Sequence, residues 1–212
     1  MVRRTKADAE ATREALLDAA EAIFYAKGVA RASLQDIARQ AGLTRGALYW
    51  HFEGKADLFR ALLERVRMPF EELVEAIPDN QPAESELDEI RLACLQGLER
   101  LERPHYRRVH AILFHRCEFF ADINPVAMLS ELSRESIAST LPRFQAAEAA
   151  GELREGLDAN TANDLLHSTL RGLIHGWHLD TEAYSLVDTG THLINQWFRL
   201  VASRNCQLDF QS

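Results

Sequence analysis

Three cysteines in 212 residues, Cys94, Cys117 and Cys206, are odd in number, far apart and never paired as CxxC. That excludes a disulfide framework and a zinc finger. No apolar run approaches the roughly 20 residues of a membrane-spanning helix, so no membrane partner is expected. The charged opening MVRRTKADAE lacks the apolar stretch of a secretory signal, and the expected location is cytoplasmic. HExxH, GxSxG and Walker motifs are missing too, so the expectation is a protein that is not an enzyme and needs no metal or cofactor. Glu102-x-x-His105 has the spacing of a di-metal helix, but Pro104 interrupts it and no second copy follows. From residue 84 onward there is no strand alternation and no Gly-rich phosphate loop.

What is present is core material and an uneven charge. Hydrophobic residues make up 47% of the chain and mean hydropathy is −0.23, the composition of a soluble globular protein. The net charge of −8 hides an asymmetry: nine Lys/Arg stand against seven Asp/Glu through Lys55, and fifteen against twenty-five after it. A locally basic head can meet phosphate while an acidic body is repelled from it and orients the head toward a duplex. Arg3 and Arg4, with Lys6, form either an arm touching the DNA backbone or minor groove or a solvated terminus.

Residues 33–58 organise the rest. Leu34, Ile37, Ala38 and Ala41 recur at helical spacing behind Ser33, whose oxygen suits an N-cap. Gly42 breaks that pattern, and Thr44 caps a second short helix from about 44 to 51. Leu48 and Phe52 point inward at i, i+4, leaving the other side chains of that helix outward. Arg45 has the fork that chelates guanine O6/N7; Gly46 and Ala47 admit the backbone to a groove and can touch a thymine methyl. Thr44, Tyr49, His51 and Lys55 suit phosphate contacts, which set register, and Ser33, Gln35 and Trp50 complete the candidate surface. A preceding helix at 7–26, with Ala15, Leu16, Ala19, Ala20, Ile23 and Phe24 on one face and Gly28 after it, completes a three-helix head.

The run Ile37-Ala38, then Ala41-Gly42-Leu43-Thr44-Arg45-Gly46-Ala47-Leu48-Tyr49-Trp50-His51-Phe52, Lys55 and Leu58 resembles the DNA-binding signature of the TetR family of bacterial one-component repressors. The likeness extends upstream through residues 12–20 and Phe24, Gly28 and Val29, about the first quarter of the chain. Arg3-Arg4-Thr5-Lys6 and the later residues 112–119, ILFHRCEF, are similar to the AcrR-like branch, repressors of multidrug efflux operons. The resemblance implies a homodimer on a palindromic operator and a large apolar drug pocket in the body.

The fold expected is all-α: a helix-turn-helix head at 1–54 and a larger ligand-binding and dimerisation body at 55–212. In the body, Leu58, Leu62, Val66 and Phe70 stay in register across 55–77, predicting one long helix kinked at Pro69. Further helices are expected at 83–101, 104–119, 125–150 (bent at Pro142), 159–179 and 185–203. Isolated polar groups among apolar neighbours nominate Val66, Phe70, Leu92, Gln96, His110, Phe114, Ile137, Leu141, His167, Leu170, Arg171 and Ile174 as lining a pocket for a small hydrophobic or aromatic inducer, or as ordinary core. Arg171 with His110 or His167, as a partly buried cation, would favour acidic or phenolic ligands. Leu165, Thr169, Leu173 and Trp177, then Leu193, Ile194, Trp197 and Leu200, suggest a self-association face. The function expected is thus a ligand-released repressor of an efflux operon. The alternatives are a redox sensor using Cys94 or Cys117, or a regulator of an unrelated metabolic operon.

Overall fold

A computed structural model describes residues 6–119, 123–204, 206 and 208; Arg3 and Arg4 lie outside them. Ten α-helices and one π-helical turn carry these residues, and no strand occurs among them. The chain divides into two compact units, Met1–Arg67 with Pro104–Met128, and Met68–Arg103 with Leu129–Ser212. This differs from the expected boundary after residue 54, because the two-way division follows packing, and residues 104–116 pack with the first helix.

In the first unit α1 (Lys6–Lys27) buries Leu16, Leu17, Ala19, Ala20 and Phe24, the stripe that a 3.6-residue period lays along one face. Leu17 joins that stripe and Ala15 stays exposed, a one-residue rotation of the expected face. Gly28 ends the helix at φ +81°, with its N–H on the Phe24 carbonyl at 2.8 Å. The positive φ favours glycine there, and a Cβ would press on the Arg116 carbonyl at 3.3 Å. Next follow α2 (Leu34–Gln40), α3 (Arg45–His51) and α4 (Lys55–Glu64). Phe59 of α4 meets Phe24 edge-on at 5.8 Å, and Arg65, just past α4, pairs with Glu14 and Asp18 of α1.

The single helix expected over 55–77 is two. After α4 the chain is non-helical through Pro69, which precedes α5 (Phe70–Glu75) and whose carbonyl accepts the Leu73 N–H at 3.2 Å. Proline drives the residue before it out of the α region, so the helix stops and restarts instead of kinking. A second departure lies at 104–119: α7 (Pro104–Ala111) runs into a π-helical turn, Ile112–Arg116. At the end of that wider turn the Arg116 carbonyl accepts the Val29 N–H at 2.9 Å.

The second unit holds α5, α6 (Glu86–Glu102), most of α8 (Pro125–Ala149), α9 (Ala159–Leu179) and α10 (Leu186–Val201). Ser85, Asp158 and Ser185 cap α6, α9 and α10 by accepting the N–H three residues on. Pro142 lies within α8, which continues through it. The core is Leu87, Ile90, Leu98, Phe144, Leu166, Trp177, Ile194 and Phe198. Helices α6 and α10 approach closely at Gly190, where a Cβ would fall 2.6 Å from a Leu98 methyl. Beside it Arg91, 1% exposed, donates to Asp88 at 2.8 Å and to Asn195 at 3.2 Å, a buried charge made tolerable by both partners.

Candidate nucleic-acid interface

The turn between α2 and α3 follows from three local choices. Ser33 Oγ accepts the Asp36 N–H at 3.1 Å and Thr44 Oγ1 accepts the Ala47 N–H at 3.2 Å, so each short helix starts on its own side-chain cap. Between them Gly42 takes φ +69°, and the Leu43 N–H closes on the Ala38 carbonyl at 2.8 Å. Ile37, Ala38, Leu48 and Phe52 are buried beneath.

What remains outward is polar and aromatic. Ser33, Gln35, Thr44, Arg45, Gly46, Tyr49 and Trp50 are exposed, Trp50 at 71%; Ala47 and His51 are half-buried. Arg45 lies over the Tyr49 ring, 5.2 Å from its centroid, and donates to the Tyr49 hydroxyl at 2.9 Å. The Trp50 and His51 rings meet edge-on at 4.6 Å.

Lys55, expected to clamp a phosphate, is held by the chain itself. Its ammonium donates to the carbonyls of Ala30 and Ala32 at 2.9 and 3.0 Å, and burial lowers its pKa. It straps the α1–α2 connection to the start of α4. Three further exposed cations, Lys27, Arg31 and Arg39, were not named from the sequence. Lys27 and Arg39 pair with Asp36 at 2.9 and 3.5 Å, and the hydrogen bond from Lys27, then that from Ser33, holds the Asp36 carboxyl below its ordinary value. Their spacing, Lys27 at the end of α1 and Arg39 three residues past Asp36, was the available signal.

An arrangement of this kind, a capped turn presenting a short helix with an arginine, small residues and aromatics, suits the major groove. Comparison with known proteins decides which such fold it is. Residues 16–62 match the model of bacterial regulatory proteins, tetR family, and residues 85–202 match that of the MAATS-type transcriptional repressor, C-terminal region. The chain belongs to the TetR family.

Among its relatives, this TetR-family protein is 35% identical over 197 residues to the HTH-type transcriptional repressor BepR of Brucella suis biovar 1 (strain 1330), covering 92% of this chain and 93% of that one. It is similar to the crystal structure of NalD, the secondary repressor of the MexAB-OprM multidrug efflux pump in Pseudomonas aeruginosa, at TM-score 0.79 and 34% identity over 95% of this chain and all of that one. The SmeT–triclosan complex gives TM-score 0.79 and 32% identity over 92% and 93%; SmeT is the repressor of the Stenotrophomonas maltophilia multidrug efflux pump SmeDEF. The protein is a TetR-type transcriptional repressor close to repressors of multidrug efflux. No helix among its described residues is long and apolar enough to cross a membrane.

The body residues named from sequence separate on inspection. Val66, His110 and Phe114 belong to the first unit; Phe70, Leu92, Gln96, Ile137, Leu141, His167, Leu170, Arg171 and Ile174 to the second. His110 stacks on Phe114, and burial pushes its pKa down to about 4. His167 is buried against Thr140, whose hydroxyl lies 2.8 Å from Nε2 and donates to Asn163 at 2.7 Å. Burial first, then the Arg171 charge, brings His167 to about 4, so near neutral pH neither ring adds positive charge. Arg171 itself is exposed, which corrects the expectation of a partly buried guanidinium.

The expected self-association face also narrows. Leu173, Trp177 and Ile194 are core, and Trp197 packs edge-on against Phe144 at 6.3 Å. Leu165, Leu193 and Leu200 stay exposed, with Thr169 half-buried beside them and Leu179, unnamed from sequence, 69% exposed. Cys94 is half-buried and desolvation pushes its thiol up to about 12; Cys117 is pushed up to about 11. Glu102 and His105 have separate duties: Glu102 accepts from Ser185 and Val187, whereas His105 pairs with Glu21.

Proposed function

We propose that the protein is a ligand-responsive repressor that binds a palindromic operator as a homodimer, inserts α3 of each head into the major groove, and is released by a small hydrophobic or aromatic compound. The operon it controls encodes a multidrug efflux pump. The observation that carries this reading is the outward set on the capped turn, Arg45, Gly46, Ala47, Tyr49 and Trp50, with Ser33, Gln35, Thr44 and His51 around it. Two such helices about 34–36 Å apart meet successive major-groove faces of a two-fold site.

Dimerisation is supported by the exposed leucines of α9 and α10, Leu165, Leu179, Leu193 and Leu200. Four large apolar side chains on two neighbouring helices are more than scattered surface residues and suit a second copy of the same pair. An apolar inducer is supported by the likeness to SmeT, which is seen with triclosan. A redox mechanism is disfavoured because thiols at about 12 and 11 are protonated and poor nucleophiles near neutral pH.

The test is a gel shift on the DNA flanking the protein's own gene, with triclosan titrated in. Retardation reversed by triclosan supports the reading; retardation that triclosan and other apolar phenols leave untouched removes the ligand arm.

A further inference from the structure

We propose that Tyr49 is a positioning residue for Arg45: in the DNA-free protein it holds the guanidinium with one bidentate edge open, so that reading of a base by Arg45 depends on the Tyr49 hydroxyl. The inference rests on the DNA-binding reading above and adds to it a division of labour within α3.

Arg45 is the first residue of α3, and Thr44 fixes the backbone there through its cap on Ala47. The side chain beyond is long and exposed and has nothing on Gly46 to lean against, since the next residue carries no Cβ. Tyr49, one turn on, makes two different contacts with it. The ring face lies under the guanidinium at 5.2 Å, and the hydroxyl accepts from Nη2 at 2.9 Å. A cation–π contact alone leaves the plane free to swivel; a hydrogen bond at its rim fixes the azimuth.

The chemistry of the guanidinium makes this useful. Its five N–H groups form two parallel-donor edges, Nε/Nη2 and Nη1/Nη2. One Nη2 proton committed to Tyr49 closes one edge and leaves the other, the fork that matches guanine O6 and N7. Tyr49 is 45% exposed, so removing its hydroxyl disturbs no core. The competing role for that hydroxyl is a phosphate contact, which adds affinity on every sequence alike.

A double-mutant cycle separates the two. Full-length protein, Tyr49→Phe, Arg45→Ala and the double variant are measured at one salt concentration on two duplexes: one enriched from a randomised pool by the unsubstituted protein, and a scramble of the same composition. Tyr49→Phe keeps the ring and loses the hydroxyl, both the acceptor for Arg45 and the donor a phosphate contact would use. The expected result is that the ratio of affinities, enriched over scrambled, falls about fivefold to tenfold in Tyr49→Phe, and is no lower in the double variant than in Arg45→Ala alone. If Tyr49→Phe weakens both duplexes by the same factor and keeps the ratio, or if the two substitutions multiply in the ratio, the proposal is overturned. Should the unsubstituted protein enrich no sequence at all, the DNA-binding reading itself fails, a different result from either.

Discussion

Lys55, the first residue of α4, hydrogen-bonds through Nζ to the main-chain oxygen of Ala30 at 2.9 Å, 25 residues earlier in the chain. With the Ala32 oxygen at 3.0 Å, two of its three donors are spent on the loop that leads into α2. The strap anchors the loop that carries the first cap, Ser33.

Replacing Lys55 with Ala is accordingly expected to lower stability by about 1.5–3 kcal/mol, the range for hydrogen bonds to a charged group. Thermal denaturation followed by circular dichroism measures it. A melting temperature within error of the unsubstituted protein, with DNA affinity reduced on every sequence, would return Lys55 to the role of a simple phosphate contact.

Glu21 of α1, 3% exposed, pairs with His105 and Arg108 of α7. Loss of one partner from a fully buried pair costs several kcal/mol, but the Arg108 side chain is 47% exposed and can be rehydrated. Glu21→Ala should therefore cost about 1–2 kcal/mol, and Arg108→Ala more, because it leaves the buried carboxylate with His105 alone. Urea titration checks the order; a larger loss for Glu21→Ala than for Arg108→Ala contradicts it.

Exposed and buried leucines of α9 and α10 should part company under substitution. Leu193→Asp with Leu200→Asp is expected to give a folded monomer, whereas Trp177→Ala opens a cavity worth about 3–5 kcal/mol and destabilises the fold itself. Sedimentation velocity and thermal melts on the same samples read both. A doubly substituted protein that stays dimeric moves the interface elsewhere.

Acid should weaken the fold through its histidines. Burial holds His110 and His167 at about 4, below the unfolded value near 6.5, so the unfolded chain binds more protons over that interval. The stability they contribute is complete above about pH 6.5 and is lost as the pH falls toward 4. Denaturant midpoints across that window should decline, and His167→Asn should flatten the decline; an unchanged slope would remove His167 from the explanation.

How much of this was written in the sequence varies with the range of the interaction. Ser33, Thr44, Gly28 and Gly42 are legible because a cap or a positive φ is decided within four residues. Pro69 misled because Leu58, Leu62, Val66 and Phe70 keep helical phase across it. Val66 and Phe70 are both buried as that phase implies, yet the chain between them is not helical. On α9 and α10 the apolar stripe is wide, and periodicity cannot say which part meets the same chain: Trp177 and Ile194 do, Leu193 and Leu200 do not. The partners of Lys55, Glu21 and His167 lie 23 to 87 residues away, where no local pattern reaches.

Hydroxyl-radical footprinting on the DNA flanking the gene, at low ionic strength, bears hardest on the idea that α3 enters the major groove twice per dimer. It should show two protected tracts centred about one helical turn, roughly 34–36 Å, apart, both lost in Arg45→Ala. Uniform cleavage along every duplex offered, or a single tract that Arg45→Ala leaves in place, would contradict it.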